Sequence, residues 1–339
     1  MDGSLAATED ALSLAPLLPA RLSRRAVLAG LGALALPSSL PDGEERPLLR
    51  LFYSPDYVGA AYSFETTRKA GWIAQSLHDD PIPGVVIEAP PSLTEEDLLA
   101  IHAPAYVAAV RTGTPRALAE SQGFRWDPGL WRMAVAMGGG VVHAALAALT
   151  DGVAGSLSLG LHHARRERGN GFCTFNTLVL AAHAALAAGA GRVLILDLDA
   201  HCSGGTSALI AGDPATRLLD VSVHPFDRYT PAPGNTLDLV RRAADYLPTI
   251  ERRLAELDSE AFGLVLYYAG MDPHQHCPIG GLPGIDGAIL EAREQLVFGW
   301  ARRRRLPIAF VPGGGYTGPL LSRTALVALH RLTIAAAVA

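Results

Sequence analysis

From Pro47 onward, short and almost wholly apolar runs alternate with longer Ala-rich or amphipathic stretches. The runs Leu49–Tyr53, Gly155–Leu159, Val193–Asp199, Leu218–Val223, Gly263–Tyr268 and Pro307–Val311 carry few polar positions and are short for helices, so they predict strands buried on both faces. Between them, Met133–Leu149, Thr177–Ala188 and Leu237–Leu257 predict helices. Strand–helix alternation of this kind predicts an α/β fold whose parallel sheet is covered on both sides, with its site at the carboxyl ends of the strands. No internal repeat, Ser/Gly linker or break in composition divides residues 47–339, which read as one domain.

The segment before Pro47 follows a different pattern. Arg24 and Arg25 precede the apolar run Ala26–Leu36, and Ala33-Leu34-Ala35 offers small residues for cleavage. This predicts a twin-arginine signal and linker over residues 1–46, hence a periplasmic or exported protein, with a cytoplasmic one as the alternative. The run is shorter than the roughly 18 apolar residues a spanning helix needs, so no stable membrane span is expected.

Composition narrows the field further. A chain of 339 residues that is 49% hydrophobic can fill a sizeable core. Its 28 basic and 33 acidic residues give a net charge of −5, so no bulk electrostatic argument favours nucleic acid or an anionic membrane as partner. Three cysteines with no CxxC pair exclude a disulfide scaffold and a zinc-finger module. Gly138–Gly140 lack a following Lys-Ser/Thr, so they do not read as a phosphate loop.

The candidate chemistry lies at the strand ends. Asp197, Asp199 and His201 run out of VLILDLD at i, i+2 and i+4, which places them on one side of an extended segment. Alone, such a pattern also suits carboxylates that merely cap the next helix. Three other predicted strands lead into AGMDPHQH, GLHHAR and PGGGY. Asp199, His201 and Asp272 would give a divalent ion two carboxylates and an imidazole while leaving a position for water, as a catalytic zinc site requires. His162 and His163 offer proton-transfer groups. Tyr316 follows three glycines that let the backbone approach the ion, and its phenol could donate to a developing oxyanion. No Ser or Cys in this set reads as an activated nucleophile. His143 and His183 lie in helical patterns and read as structural, whereas His274 and His276 lie beside Asp272.

LLAIHAPAYVAAVRTG, GLHHARRERGNGFCTFNT, LILDLDAHCSGGT, YYAGMDPHQHCPIGGL and VPGGGYT occur in the order and spacing of the zinc-dependent histone deacetylase family, which includes bacterial acetylpolyamine amidohydrolases. The chain resembles that family over nearly all of its length after the signal. The resemblance implies a three-layer α/β/α sandwich around an eight-stranded, mainly parallel sheet, the arginase/deacetylase fold. It implies one Zn2+ on Asp199, His201 and Asp272, and a relay of His162 and His163 with Asp197 orienting His162. Phe172, with Gly171 and Gly314, would line a narrow acyl-lysine channel, and Tyr316 would polarise the amide carbonyl. Backbone groups of Asp197, Asp199, His201, Ser222 and Val223 would hold K+. The implied activity is hydrolysis of the acetyl or short acyl amide of acetyl-lysine or an acetylated polyamine.

One departure stands out. Where the family usually has Asp or Asn three residues after the ligand histidine, this chain has Gly204, which leaves His163 without its usual partner unless Ser203 or Thr206 stands in. Gly204 motivates an alternative reading, a catalytically impaired metal-binding relative that recognises acylated amines. An arginase-like site with two manganese ions fits less well, because the sequence offers no second full ligand set.

Overall fold

Eight short strands carry the apolar runs: β1 (Leu49–Phe52), β2 (Val85–Glu88), β3 (Val153–Ser156), β4 (Val193–Asp197), β5 (Thr216–Ser222), β6 (Thr236–Leu239), β7 (Leu264–Ala269) and β8 (Ile308–Pro312). They form one sheet in the order β2-β1-β3-β8-β7-β4-β5-β6, and every pairing is parallel. The structure, a computed structural model, describes residues 48–61 and 68–339. The expected signal and linker at residues 1–46 lie outside the described residues.

Every residue of β4, β7 and β8 is buried, because helices cover both faces of the sheet. The helix Pro128–Asp151 packs on Thr177–Ala187, and Gly287–Arg304 packs on Arg323–Val338, giving the expected α/β/α layering. Local chemistry sets the helix ends. The Asp127 side chain accepts from the Gly129 N–H ahead of Pro128, and Asn176 accepts from Val179 N. A Cβ on Gly139 would fall 2.0 Å from the Pro91 carbonyl oxygen, and one on Gly140 would fall 1.8 Å from Tyr57 Oη. The Gly138–Gly140 run is therefore a close-packing surface. Pro128–Asp151 is long and apolar enough to cross a membrane, but 72% of its most apolar window is buried inside the protein.

Two predicted elements are corrected, and one strand is new. The strand expected at Gly155–Leu159 lies earlier, at Val153–Ser156, and residues 157–159 already belong to the loop entering the site. Leu237–Leu257 is not one helix: Thr236–Leu239 pairs with β5, and the helix is Tyr246–Glu256. β2 was not predicted. It and β6 are edge strands of four residues with incompletely buried side chains, so neither shows the continuous apolar run that marks a central strand.

Candidate active site

Five neighbouring strands in sheet order, β3-β8-β7-β4-β5, send their carboxyl-end loops to one place. β4 stops at Asp197, so the expected extended run to Asp199 gives way to a turn built on side chains. Asp197 Oδ1 accepts from Asp199 N at 3.1 Å, and Asp199 Oδ1 accepts from His201 N at 3.0 Å. Asp272 Oδ1 then accepts from Ala200 N at 2.9 Å, docking the β7 loop, and Asp199 Oδ2 accepts from Gly314 N at 2.5 Å, docking the β8 loop. A Cβ on Gly314 would fall 1.9 Å from Asp272 Oδ2, so only glycine allows this approach.

The ligand-competent atoms of Asp199, His201 and Asp272 lie within 4.8 Å of one another, and all three residues are buried. His201 Nδ1 is 3.1 Å from Asp199 Oδ1 and 3.0 Å from Asp272 Oδ2. Asp272 Oδ2 is nevertheless a buried atom without a hydrogen-bond partner. Burial and the Asp199 charge raise the Asp272 carboxyl to about 6. Burial opposes charge on His201, but the two carboxylates outweigh it and raise the ring to about 10. A cation between these groups relieves the crowding of like charge and satisfies the orphaned oxygen, and two carboxylates with one imidazole suit zinc. Among the described residues, no second group of three such side chains converges, so the two-manganese reading lacks its ligands.

His162 Nδ1 lies 2.8 Å from Asp197 Oδ2. The Ser203 hydroxyl donates to the same Asp197 oxygen. The Nε2 atoms of His162 and His163 are 3.0 Å apart. His163 Nδ1 pairs with Asp227 Oδ2 at 3.0 Å, which corrects the expectation that Ser203 or Thr206 would serve. Thr206 is engaged instead with Asn176 and the His162 carbonyl. Burial lowers the pKa of both rings, that of His163 to about 4, with the neighbouring His162 adding to the effect and Asp227 opposing it. Burial and the Asp199 charge push Asp197 up to about 8.

Phe172 forms one wall of the recess above these groups, stacked on Phe124 with ring centroids 5.5 Å apart and 6.4 Å from the Tyr316 ring. Gly171 and Phe172 both have positive φ, 49° and 65°. A Cβ on Gly171 would fall 2.6 Å from the His163 ring and 2.8 Å from Phe226, so glycine keeps the recess open. Phe226 stands edge-on to His163 at 4.9 Å and is 42% exposed. Gly314, His162, His163, Asp199, His201 and Tyr316 line the same recess. Burial and the charges of Asp272 and Asp199 hold the Tyr316 phenol well above its usual pKa, so it stays a proton donor.

Several of these residues escaped the sequence reading. Phe226 and Asp227 follow β5 in HPFD, at the same end of the sheet as the recognised loops, and that position was their signal. Lys69 is fully buried beneath the glycine turn and donates to the Gly313 carbonyl, and burial lowers its pKa to about 8. In the segment expected to hold potassium, the Ser222 hydroxyl donates to Asp220, a buried carboxylate raised to about 8 by burial and by Asp197. His143 bonds the Gly139 carbonyl within its own helix, and His274 Nδ1 accepts from His276 N in the Asp272 loop.

The chain matches the family model of the histone deacetylase domain over residues 63–332. It is 34% identical over 194 residues to Histone deacetylase 2 of Arabidopsis thaliana, a match that takes in 52% of this chain and about half, 48%, of that relative. Its fold superposes on the crystal structure of the HDA15 HD domain with a TM-score of 0.71 at 20% identity, covering 85% of this chain and 90% of that one. Against the acetylpolyamine aminohydrolase from Burkholderia pseudomallei the TM-score is 0.68 at 19% identity, with 85% and 98% covered. With the domain model spanning most of the chain and the parallel eight-stranded sheet in place, this protein belongs to the histone deacetylase family.

Proposed function

We propose that this chain is a zinc-dependent amidohydrolase that removes an acetyl or short acyl group from acetyl-lysine or an acetylated polyamine. The observation that carries the reading is the convergence of Asp199, His201 and Asp272, with no hydrogen bond to Asp272 Oδ2, at the floor of a recess that also receives the two histidines and Tyr316. The fold likeness to an acetylpolyamine aminohydrolase supports the substrate class.

Bound on Asp199, His201 and Asp272, the ion would supply a Lewis acid for the acyl carbonyl and a water of lowered pKa. The rest falls to the chain's own groups. Phe172 walls the recess and Phe226 stands edge-on to His163, apolar surface that suits a linear amine and excludes bulk water. Asp197 and Asp227 hold the two Nδ1 atoms and so leave the paired Nε2 atoms, 3.0 Å apart, to take up the water proton and pass one to the departing amine. Tyr316 donates its phenolic proton to the carbonyl oxygen as negative charge grows there. The impaired-relative alternative loses its motive, because Asp227 meets the need that Gly204 leaves. A potassium ion on backbone groups of Asp197, Asp199, His201, Ser222 and Val223 belongs to the same reading and is proposed on the sequence resemblance alone. Export through Arg24 and Arg25 is proposed on the sequence alone.

Turnover of a fluorogenic acetyl-lysine peptide and of an acetylated polyamine tests the proposal. At least one is hydrolysed, a chelator abolishes the activity, added zinc restores it, and Asp199→Ala has none. Turnover that persists in chelator removes the metal from the mechanism.

A further inference from the structure

Gly204 and Asp227 fit together as an exchange. A Cβ on Gly204 would fall 2.4 Å from the Asp227 carbonyl oxygen and 2.6 Å from its Oδ1. The space where a side chain at 204 would stand is thus filled by Asp227, its backbone carbonyl nearest and its carboxylate just behind, reaching in from the loop after β5. That carboxylate is only 6% exposed, and its neighbours are specific. Oδ2 accepts from His163 Nδ1 at 3.0 Å, from Gly205 N at 3.2 Å and from Arg165 at 3.2 Å, while Oδ1 takes the other Arg165 nitrogen at 2.5 Å. Arg165 is itself braced: its guanidinium also donates to the His163 carbonyl at 3.1 Å, and its own carbonyl lies 2.9 Å from His102 Nδ1.

The backbone at Asp227 has φ +60°, in the left-handed region that most side chains avoid but that Asp and Asn enter alongside glycine. Close packing against Asp227 requires the glycine at 204. What the Asp227 side chain adds is a charged partner for His163 Nδ1 at 3.0 Å.

We propose that Asp227, clamped by Arg165 and admitted by Gly204, is the positioning carboxylate of His163. It fixes the tautomer with Nδ1–H and leaves Nε2 for proton transfer. The inference rests on the deacetylase reading for its role in turnover, but the pairing itself is independent of turnover.

The test uses the zinc-loaded full chain, Asp227→Asn and Asp227→Gly. Glycine suits the left-handed backbone, so Asp227→Gly folds. The expected result is a loss in kcat of about 10- to 100-fold in both variants, with KM changed by less than about twofold. Imidazole NMR of histidine-labelled protein supplies a readout that loop packing would not move. The wild type shows a downfield Nδ1–H proton, assigned to His163 by its absence in His163→Gln; it moves upfield in Asp227→Asn and vanishes in Asp227→Gly. Retention of that proton in Asp227→Gly, or wild-type kcat in that variant, overturns the inference. If the NMR pattern is as expected but the wild type turns over no acylated amine, the pairing stands and the deacetylase reading falls.

Discussion

At the scale of single residues, the two histidines are defined by what their outer nitrogens face. With each Nδ1 committed to a carboxylate, the facing Nε2 atoms, 3.0 Å apart, need one shared proton to be compatible. Burial disfavours charge on either ring, which is the condition for a pair that accepts a proton only transiently. Tyr316 is tuned the other way, held protonated by burial and by the charges of Asp272 and Asp199. Tyr316→Phe should therefore lower kcat by about 100- to 1,000-fold with zinc content unchanged. Near-wild-type turnover in that variant would remove the phenol from the mechanism. Asp199, His201, Asp272, His162, His163 and Tyr316 were legible in the sequence because each follows an apolar run that had to be a strand. Asp227 was not, because nothing in an irregular loop sets its direction. Gly204 announced a missing carboxylate without saying which residue replaces it.

At the scale of elements, the central strands could be read because burial on both faces leaves an unbroken apolar signature. The edge strands β2 and β6 could not, since each has one neighbour and incompletely buried side chains. The loops are tied to the helices by polar contacts that no periodicity reveals. His102 is one such tie: its Nδ1 lies 2.9 Å from the Arg165 carbonyl and its Nε2 accepts from Asn176 N at 3.1 Å, so the ring is a neutral bridge. Burial lowers its pKa to about 4, against the opposing pull of the Arg165 carbonyl. The unfolded pKa is higher, about 6.5. Between these values the unfolded chain binds more protons, so the stability contributed by His102 is complete above pH 6.5 and lost as pH falls toward 4. The slope is about 1.4 kcal/mol per pH unit for each such histidine. Urea unfolding of chelated protein across this window should show the wild type losing stability on acidification. His102→Gln, although less stable at neutral pH, should show a slope shallower by about one proton. Equal slopes would mean that His102 is not neutral in the fold.

At the scale of the whole molecule, the chain order of the site loops bears no relation to their order in space. The loops after β3, β4, β5, β7 and β8 supply the histidine pair, Asp199 with His201, Asp227, Asp272 and Tyr316, and the sheet arranges them as β3-β8-β7-β4-β5. Parallel pairing throughout brings their carboxyl ends to one edge, so groups more than a hundred residues apart in sequence meet without a dedicated scaffold. The same arrangement concentrates buried carboxyl groups, Asp197, Asp199, Asp220 and Asp272, at one end of the sheet, even though the chain's net charge is only −5. That concentration makes a cation on Asp199, His201 and Asp272 the central proposal. Anomalous diffraction from zinc-soaked crystals, recorded on both sides of the zinc absorption edge, tests it most directly. The predicted result is one peak per chain at bonding distance from Asp199, His201 Nδ1 and Asp272. A fully soaked crystal with no peak there, or with its peak away from these three side chains, would contradict the account.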